Sequence, residues 1–141
     1  MYSLDKFVAE HVTKRPGSMF DQDIMKNENS LKMKIKAKSI LVIGGAGSIG
    51  SSFIRAVLPY KPESLVVVDV NENALTELTR DLRSTKGLFI PESYITYPMD
   101  YASRAFSRMF IDRGGFDIVA NFSAHKHVRS EKDIYSIEAL L

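Results

Sequence analysis

Cysteine is absent from the chain. That excludes disulfides, thiol catalysis and cysteine-ligated zinc together, and it accords with a reducing compartment. A long apolar run is missing as well. No stretch approaches the ~18 residues of a membrane span and the N-terminus lacks a signal-peptide core, so a cytoplasmic setting with no membrane partner is expected. Nor is there an excess of one charge. The net +2 comes from 19 basic against 17 acidic side chains, scattered along the chain, and no electrostatic footprint for nucleic acid is visible. What is present is apolar material: 45% of the 141 residues are hydrophobic, enough to bury a core in one domain of the common ~100–150-residue size.

The most informative stretch is residues 38–50, KSILVIGGAGSIG. An apolar run from Ile40 to Ile43 breaks into Gly44, Gly45, Gly47 and Gly50, the pattern of a buried strand feeding a phosphate loop. Such a loop needs glycine at the turn leaving the strand, where backbone meets a pyrophosphate, and where the next helix packs on the sheet. A helix opening at about Ser48 would aim its free N–H groups and the positive end of its dipole at the phosphates. The spacing reads either as Gly45-x-Gly47-x-x-Gly50 or as Gly44-x-x-Gly47-x-x-Gly50. Asp69 ends the next apolar run, Leu65 to Val68, 19 positions past Gly50. A carboxylate ~20 residues on is where an adenosine ribose is bound. A plain βα turn with a capping aspartate is the competing reading.

Around this stretch the chain alternates. Leu4, Phe7, Val8 and Val12 recur at helical spacing after Ser3, which predicts a short amphipathic helix. Residues 15–30, RPGSMFDQDIMKNENS, carry Pro16 and Gly17 in mixed surroundings and read as an irregular connector anchored by Phe20 and Ile24. Ile49, Phe53, Ile54 and Val57 share one helical face that should end near Pro59 to Pro62. A strand is expected over 64–69, buried on both faces. A helix capped by Asn71 and carrying Leu75, Leu78 and Leu82 follows, stopped at Gly87. A third strand is placed at 93–98, a helix through Ala102, Ala105, Phe106, Met109 and Phe110, a fourth strand at 116–122, and the start of a fourth helix at 134–141. Right-handed crossovers then predict an α/β fold of Rossmann type: a parallel sheet ordered 3-2-1-4, helices on both faces, and later strands missing. The expected division is an N-terminal helix and connector over 1–36 and a dinucleotide-binding domain over 37–141.

Two polar features beyond the loop invite chemistry. His125, Lys126 and His127 follow the fourth strand. Two histidines at i and i+2 lack a third zinc ligand at a recognisable spacing, so no metal site is assigned. The cluster otherwise reads as cationic lining for an anionic substrate or as a solvated loop. Asp100, after the third strand, is placed to bond an adenine amino group or to cap the helix from Tyr101 onward. Tyr94, Tyr97 and Tyr101 read as packing.

GGAGSIGSSFIR, then VVVDVNENAL, then DIVANFSAHKHV together resemble the extended short-chain dehydrogenase/reductases, specifically the polysaccharide-biosynthesis UDP-N-acetylglucosamine 4,6-dehydratases. The loop Gly-x-x-Gly-Ser-Ile/Phe-Gly is matched by Gly44, Gly47, Ser48, Ile49 and Gly50, which selects the second spacing. Asp69 and Glu72 match the end of the second strand. Ala124, Lys126, His127 and Val128 match Ala-Ala-x-Lys-His-Val, with Ser123 replacing the first alanine. Ile43 and Arg129 depart from residues common among relatives.

The resemblance implies a lyase that oxidises C4 of a UDP-sugar, eliminates water across C5 and C6 and returns the hydride at C6. The implied cofactor ligands are Gly44, Gly47, Ser48, Ile49, Gly50, Asp69, Asp100 and Ala124, with Lys126 and His127 on the substrate side. NAD is expected over NADP, because a carboxylate at Asp69 accepts ribose hydroxyls and repels a 2′-phosphate. The family's catalytic segments would fall beyond Leu141, so no catalytic residue is expected in this chain, which reads as the cofactor-binding part of a longer, homo-oligomeric enzyme. A UDP-sugar 4-epimerase of the same superfamily and a non-catalytic dinucleotide-binding module are the alternatives.

Overall fold

The computed structural model describes residues 7–15 and 17–124. The expected fourth helix, together with His125, Lys126 and His127, lies outside the described residues. The chain separates into two compact units, 1–34 and 35–141.

In the first unit, Val8–Thr13 forms a short, wide π-type helix that ends on Lys14 in the left-handed region (φ 53°). Phe7 stacks on His11 with ring centroids 4.7 Å apart. The expected connector is instead largely helical: α1 spans Asp21–Ile35. Its start is fixed by reciprocal capping, with the Phe20 N–H donating to Ser18 Oγ and the Ser18 N–H donating to Asp21 Oδ2. The signal was in the sequence as Ser18-x-x-Asp21, a relative of the capping box. Periodicity hid it, because the helix has no clean apolar stripe and rests on helix-forming residues. Phe20 and Ile24, expected as anchors, are exposed.

The second unit begins with β1 (Ser39–Ile43), followed by α2 (Ser48–Val57) and a single 3₁₀ turn (Leu58–Tyr60). Then come β2 (Ser64–Asp69), α3 (Glu72–Ser84), β3 (Ser93–Pro98), α4 (Arg104–Asp112) and β4 (Ile118–Asn121). The strands form a parallel sheet in the order β3-β2-β1-β4, as the alternation of strand and helix predicted.

The two inner strands are buried on both faces, which their unbroken Ile, Leu and Val runs require. On one face Leu41, Ile43, Val66 and Val68 pack with Ile95 and Tyr97 of β3 and with Phe106, Met109 and Phe110 of α4. The opposite register positions, Ile40, Val42, Leu65 and Val67, are equally buried, as are Ile54 of α2 and Leu75, Leu78 and Leu82 of α3. Asn71 caps α3 as expected, accepting from the Ala74 N–H at 3.0 Å. The cap of α4 is Ser103, which accepts from the Phe106 N–H. Asp100 instead closes a turn one step earlier by accepting from the Ala102 N–H at 2.8 Å, so Ala102 precedes the helix. The expected fourth strand shrinks to four residues, with Val119 half exposed at the outer edge.

At the amino ends of β1 and β4 a polar knot sets their register. The Asp117 carboxylate accepts from the Ser39 N–H (2.9 Å), Ser39 Oγ (2.8 Å) and Lys38 Nζ (3.2 Å), while the Asp117 N–H donates to Ser39 Oγ. The backbone and side-chain donors of Ser39, then Lys38, hold the carboxyl at a pKa of about 2.

Candidate dinucleotide site

The carboxyl ends of β1, β2 and β4 and the turn after β3 converge on a cleft of about 310 Å³. This is where open parallel sheets place ligands, since the loops leaving neighbouring strands diverge there.

The glycine loop forms one wall, and each glycine answers to a different constraint. Gly44 leaves β1 with φ +70°, and a Cβ on it would stand 2.6 Å from the Ser123 nitrogen and 2.8 Å from the Phe122 carbonyl carbon. It is therefore the turn glycine, pressed against the chain emerging from β4. A Cβ at Gly45 would strike Val67 Cγ1 on the sheet, so packing alone excludes a side chain there. At Gly50 an added Cβ would collide with the Gly44 carbonyl oxygen and lie 2.7 Å from the Gly45 Cα, which fixes how closely α2 approaches the loop. Gly47 differs: among the described residues, the one atom within 4 Å of an added Cβ would be the Gly44 oxygen at 3.5 Å, ordinary contact. The described residues leave room for a side chain at Gly47, and the position lines the cleft. The Gly44-x-x-Gly47-x-x-Gly50 reading thus has a physical division of labour, with Gly45 as a further packing glycine.

Gly47, with extended backbone (φ −71°, ψ 167°), is the N-cap of α2, and no side chain among the described residues caps this end. Ser48, Ile49 and Gly50 form the first turn, which starts from Gly47 on the cleft wall, and the helix's free N–H groups and the positive end of its dipole lie at that end. The Ser48 carbonyl accepts from both Ser51 Oγ and Ser52 Oγ. Ile49 is 69% exposed, a large apolar side chain left beside the loop.

Asp69 forms the adjoining wall at the end of β2. Its Oδ2 accepts from the Ala46 N–H and its Oδ1 from the Asn71 N–H, each at 3.0 Å. Asp100 lines the same cleft, with Oδ1 engaged by Ala102. On the β4 side, Asn121 Oδ1 accepts from both Ser123 N–H and Ser123 Oγ. Those bonds hold the 122–124 segment against Gly44, and Ala124 borders the cleft. Of the expected positions, Gly44, Gly47, Asp69, Asp100 and Ala124 line this cleft, Ser48, Ile49 and Gly50 follow Gly47 in the first turn of α2, and Lys126 and His127 lie outside the described residues.

Val70, Met99 and Tyr101 also line the cleft and were missed as site residues. Their signal was positional, since each immediately follows a strand's carboxyl end or the turn beyond it. The other tyrosines pack as expected. Tyr94, its hydroxyl pKa raised by burial, shares a 3.2 Å hydrogen bond with Thr79 Oγ1. Tyr97 accepts from Arg113, whose guanidinium lies over its ring. Among the described residues no three His, Asp or Glu side chains gather as a metal-binding set, and no helix is long and apolar enough to cross a membrane.

Comparison with known proteins places this geometry. A family model described as "Polysaccharide biosynthesis protein" matches residues 40–140. The chain belongs to that family. This is the polysaccharide-biosynthesis branch of the extended short-chain dehydrogenase/reductases, and the family match spans the sheet, the glycine loop, Asp69 and the segment after β4. Among curated family relatives, the "Probable polysaccharide biosynthesis protein EpsC" of Bacillus subtilis is 28% identical over 71% of this chain and 16% of its own length. An "Uncharacterized membrane protein" of Methanocaldococcus jannaschii is 47% identical over 51 residues, 36% of this chain and 15% of its own. The chain therefore spans about a sixth of the length of these relatives.

Of solved structures, Pen from Bacillus thuringiensis superposes with a TM-score of 0.56 at 29% identity, over 68% of this chain and 28% of that one. A citronellol catabolism dehydrogenase of Pseudomonas aeruginosa superposes with a TM-score of 0.55 at 15% identity, over 75% and 44%. The latter likeness speaks to the fold.

Proposed function

We propose that residues 37–141 bind a nicotinamide dinucleotide, preferentially NAD, as the cofactor domain of a UDP-N-acetylglucosamine 4,6-dehydratase-like enzyme in glycan biosynthesis. The observation that carries this reading is the pairing of an uncapped helix start at Gly47 with a carboxylate at Asp69 across one cleft. The first suits a pyrophosphate and the second a ribose diol. The room left at Gly47, where the fold itself tolerates a Cβ, fits a glycine kept for the approach of a ligand. Membership of a polysaccharide-biosynthesis family supports a sugar-nucleotide substrate, and the name of the Pseudomonas dehydrogenase supports redox chemistry on this fold.

In this reading Gly44, Gly47 and the first turn of α2 hold the pyrophosphate, and Asp69 receives the adenosine ribose. Asp100 and Tyr101 border the adenine end, and Ala124 with Lys126 and His127 leads toward the sugar. The nicotinamide would supply a reversible hydride acceptor. The chain's own contribution is to fix the dinucleotide so that hydride transfer is a matter of geometry.

The test is calorimetric titration of the purified chain with NAD and NADP, followed by incubation of the longer protein with NAD and UDP-N-acetylglucosamine. NAD binding with weaker NADP binding, and a 4-keto sugar nucleotide as product, are expected. Failure to bind either cofactor overturns the site. Binding accompanied only by C4 inversion selects the epimerase.

A further inference from the structure

Asp69 has already committed both carboxylate oxygens before any ligand arrives. Oδ1 receives the Asn71 N–H and Oδ2 the Ala46 N–H, each at 3.0 Å. Asn71 is the neighbouring N-cap of α3. Ala46 is different, because it sits 23 residues away in the middle of the glycine loop.

Otherwise the loop is held by β1's continuation. The Gly44 N–H donates to the Val68 carbonyl at 2.8 Å, the Gly45 N–H reaches the same oxygen at 3.4 Å, and the Gly47 N–H reaches the Gly44 carbonyl at 3.4 Å. The two longer contacts are weak, so beyond Gly44 the short bond from Ala46 to Asp69 is the firm tie between loop and sheet. With little side-chain bulk to hold this glycine-rich turn, its conformational freedom has to be removed by backbone hydrogen bonds.

We infer that Asp69 is a positioning residue for the phosphate loop as well as the ribose ligand: its carboxylate clasps the Ala46 N–H and thereby presets the turn that presents the α2 N-terminus to the pyrophosphate. This rests on the dinucleotide reading for its functional consequence, but the clasp exists without ligand. It divides the loop's donors, since Ala46 points its N–H at protein while the first turn of α2 is left for phosphate. It also means that the adenosine and phosphate subsites share one carboxylate. Shortening Asp69 to admit a 2′-phosphate would loosen the loop that every cofactor uses.

The experiment compares the parent chain with Asp69→Ala and Asp69→Asn, first without ligand and then with two probes, ADP and 2′,3′-dideoxy-ADP, the second having no ribose hydroxyls. Amide exchange at Ala46 in the free protein should accelerate by about tenfold or more in Asp69→Ala, the loss of one charge-assisted hydrogen bond. Asp69→Asn should lie between, because its carbonyl oxygen can still accept from Ala46. Exchange in β1 and β2 should stay slow in both, showing that the fold is intact.

For binding, Asp69→Ala should weaken dideoxy-ADP by about fivefold to tenfold and ADP by more, since only ADP also loses its hydroxyl contacts. Unchanged exchange at Ala46, or dideoxy-ADP bound equally by parent and Asp69→Ala, would overturn the clasp and leave Asp69 a ribose ligand alone. Should the parent bind neither probe, the dinucleotide reading fails, while the exchange at Ala46 still decides whether the clasp holds the loop.

Discussion

The two ends of the parallel sheet each place an aspartate against backbone N–H groups, and they use it in opposite ways. At the amino end Asp117 takes three donors from the neighbouring strand's start, two from Ser39 and one from Lys38, and the carboxylate joins β1 to β4 from a half-exposed position. At the carboxyl end Asp69 takes one N–H from each of two loops and lines an open cleft, beside a helix start that no side chain among the described residues caps. One end ties strand to strand within the fold, whereas the other leaves donors and lone-pair capacity facing outward. Parallel strands impose this asymmetry, because strand-to-helix loops and helix N-termini collect at the carboxyl edge.

The sharpest way to break the comparison lies within the glycine loop. Gly50→Val drives a side chain into the Gly44 carbonyl and the Gly45 Cα, and both neighbours are backbone that cannot turn aside. A loss of about 3 kcal/mol or more is expected, at the upper end of overpacking costs, measured by chemical denaturation. Among the described residues, an added Cβ at Gly47 meets one atom, at ordinary contact distance, on an extended backbone. Gly47→Val should stay within about 1 kcal/mol of the parent, as surface substitutions do, yet abolish NAD binding in the same titration. Equal effects at the two positions would erase the division between a packing glycine and a ligand glycine.

Next in size, Asp69→Ala should weaken NAD by about 1.5–3 kcal/mol for each charge-assisted hydrogen bond lost and narrow the preference over NADP. Competition titration with both cofactors reads the two effects separately. If the variant discriminated as the parent does, Asp69 would be a structural aspartate like Asp117.

For Asp117 the expected signature is in pH. Its folded pKa is lowered from 3.8 to about 2, so its stabilising effect is fully present above the unfolded value and disappears as pH falls through the folded one. Between pH 4 and pH 2 the parent should lose thermal stability more steeply than Asp117→Asn, while NAD affinity at pH 7 is the same in both. A parallel pH dependence for the two proteins would remove Asp117 from the amino-end lock.

The smallest effect is expected at the Arg55–Asp81 ion pair between α2 and α3. Both side chains are about half exposed, and Arg55→Ala should cost no more than about 1 kcal/mol in denaturant, less at high salt.

Much of this architecture was legible in the sequence because its two inner strands bury both faces. Such strands must be written as unbroken Ile, Leu and Val, and 40–43 and 65–68 admit few other readings. Alternation of those runs with Leu75, Leu78 and Leu82 at helical spacing then determined the parallel order, since crossover handedness leaves little choice. The glycine spacing and Asp69 likewise announced the cleft. Helix α1 was less legible, because its formation rests on a Ser18–Asp21 cap and propensity in place of an apolar stripe.

Other features were decided only by the tertiary structure. Sequence spacing marks Gly44, Gly47 and Gly50 alike, but which glycine is barred by backbone and which is left open depends on what the fold brings within 4 Å. That Asp69 reaches Ala46, and that Asp117 finds Ser39 78 positions away, are meetings across strands. The sequence by itself supplies the carboxylates and the loop; folding decides which donors those carboxylates meet, because a hydrogen bond is satisfied by distance and direction in space and not by separation along the chain.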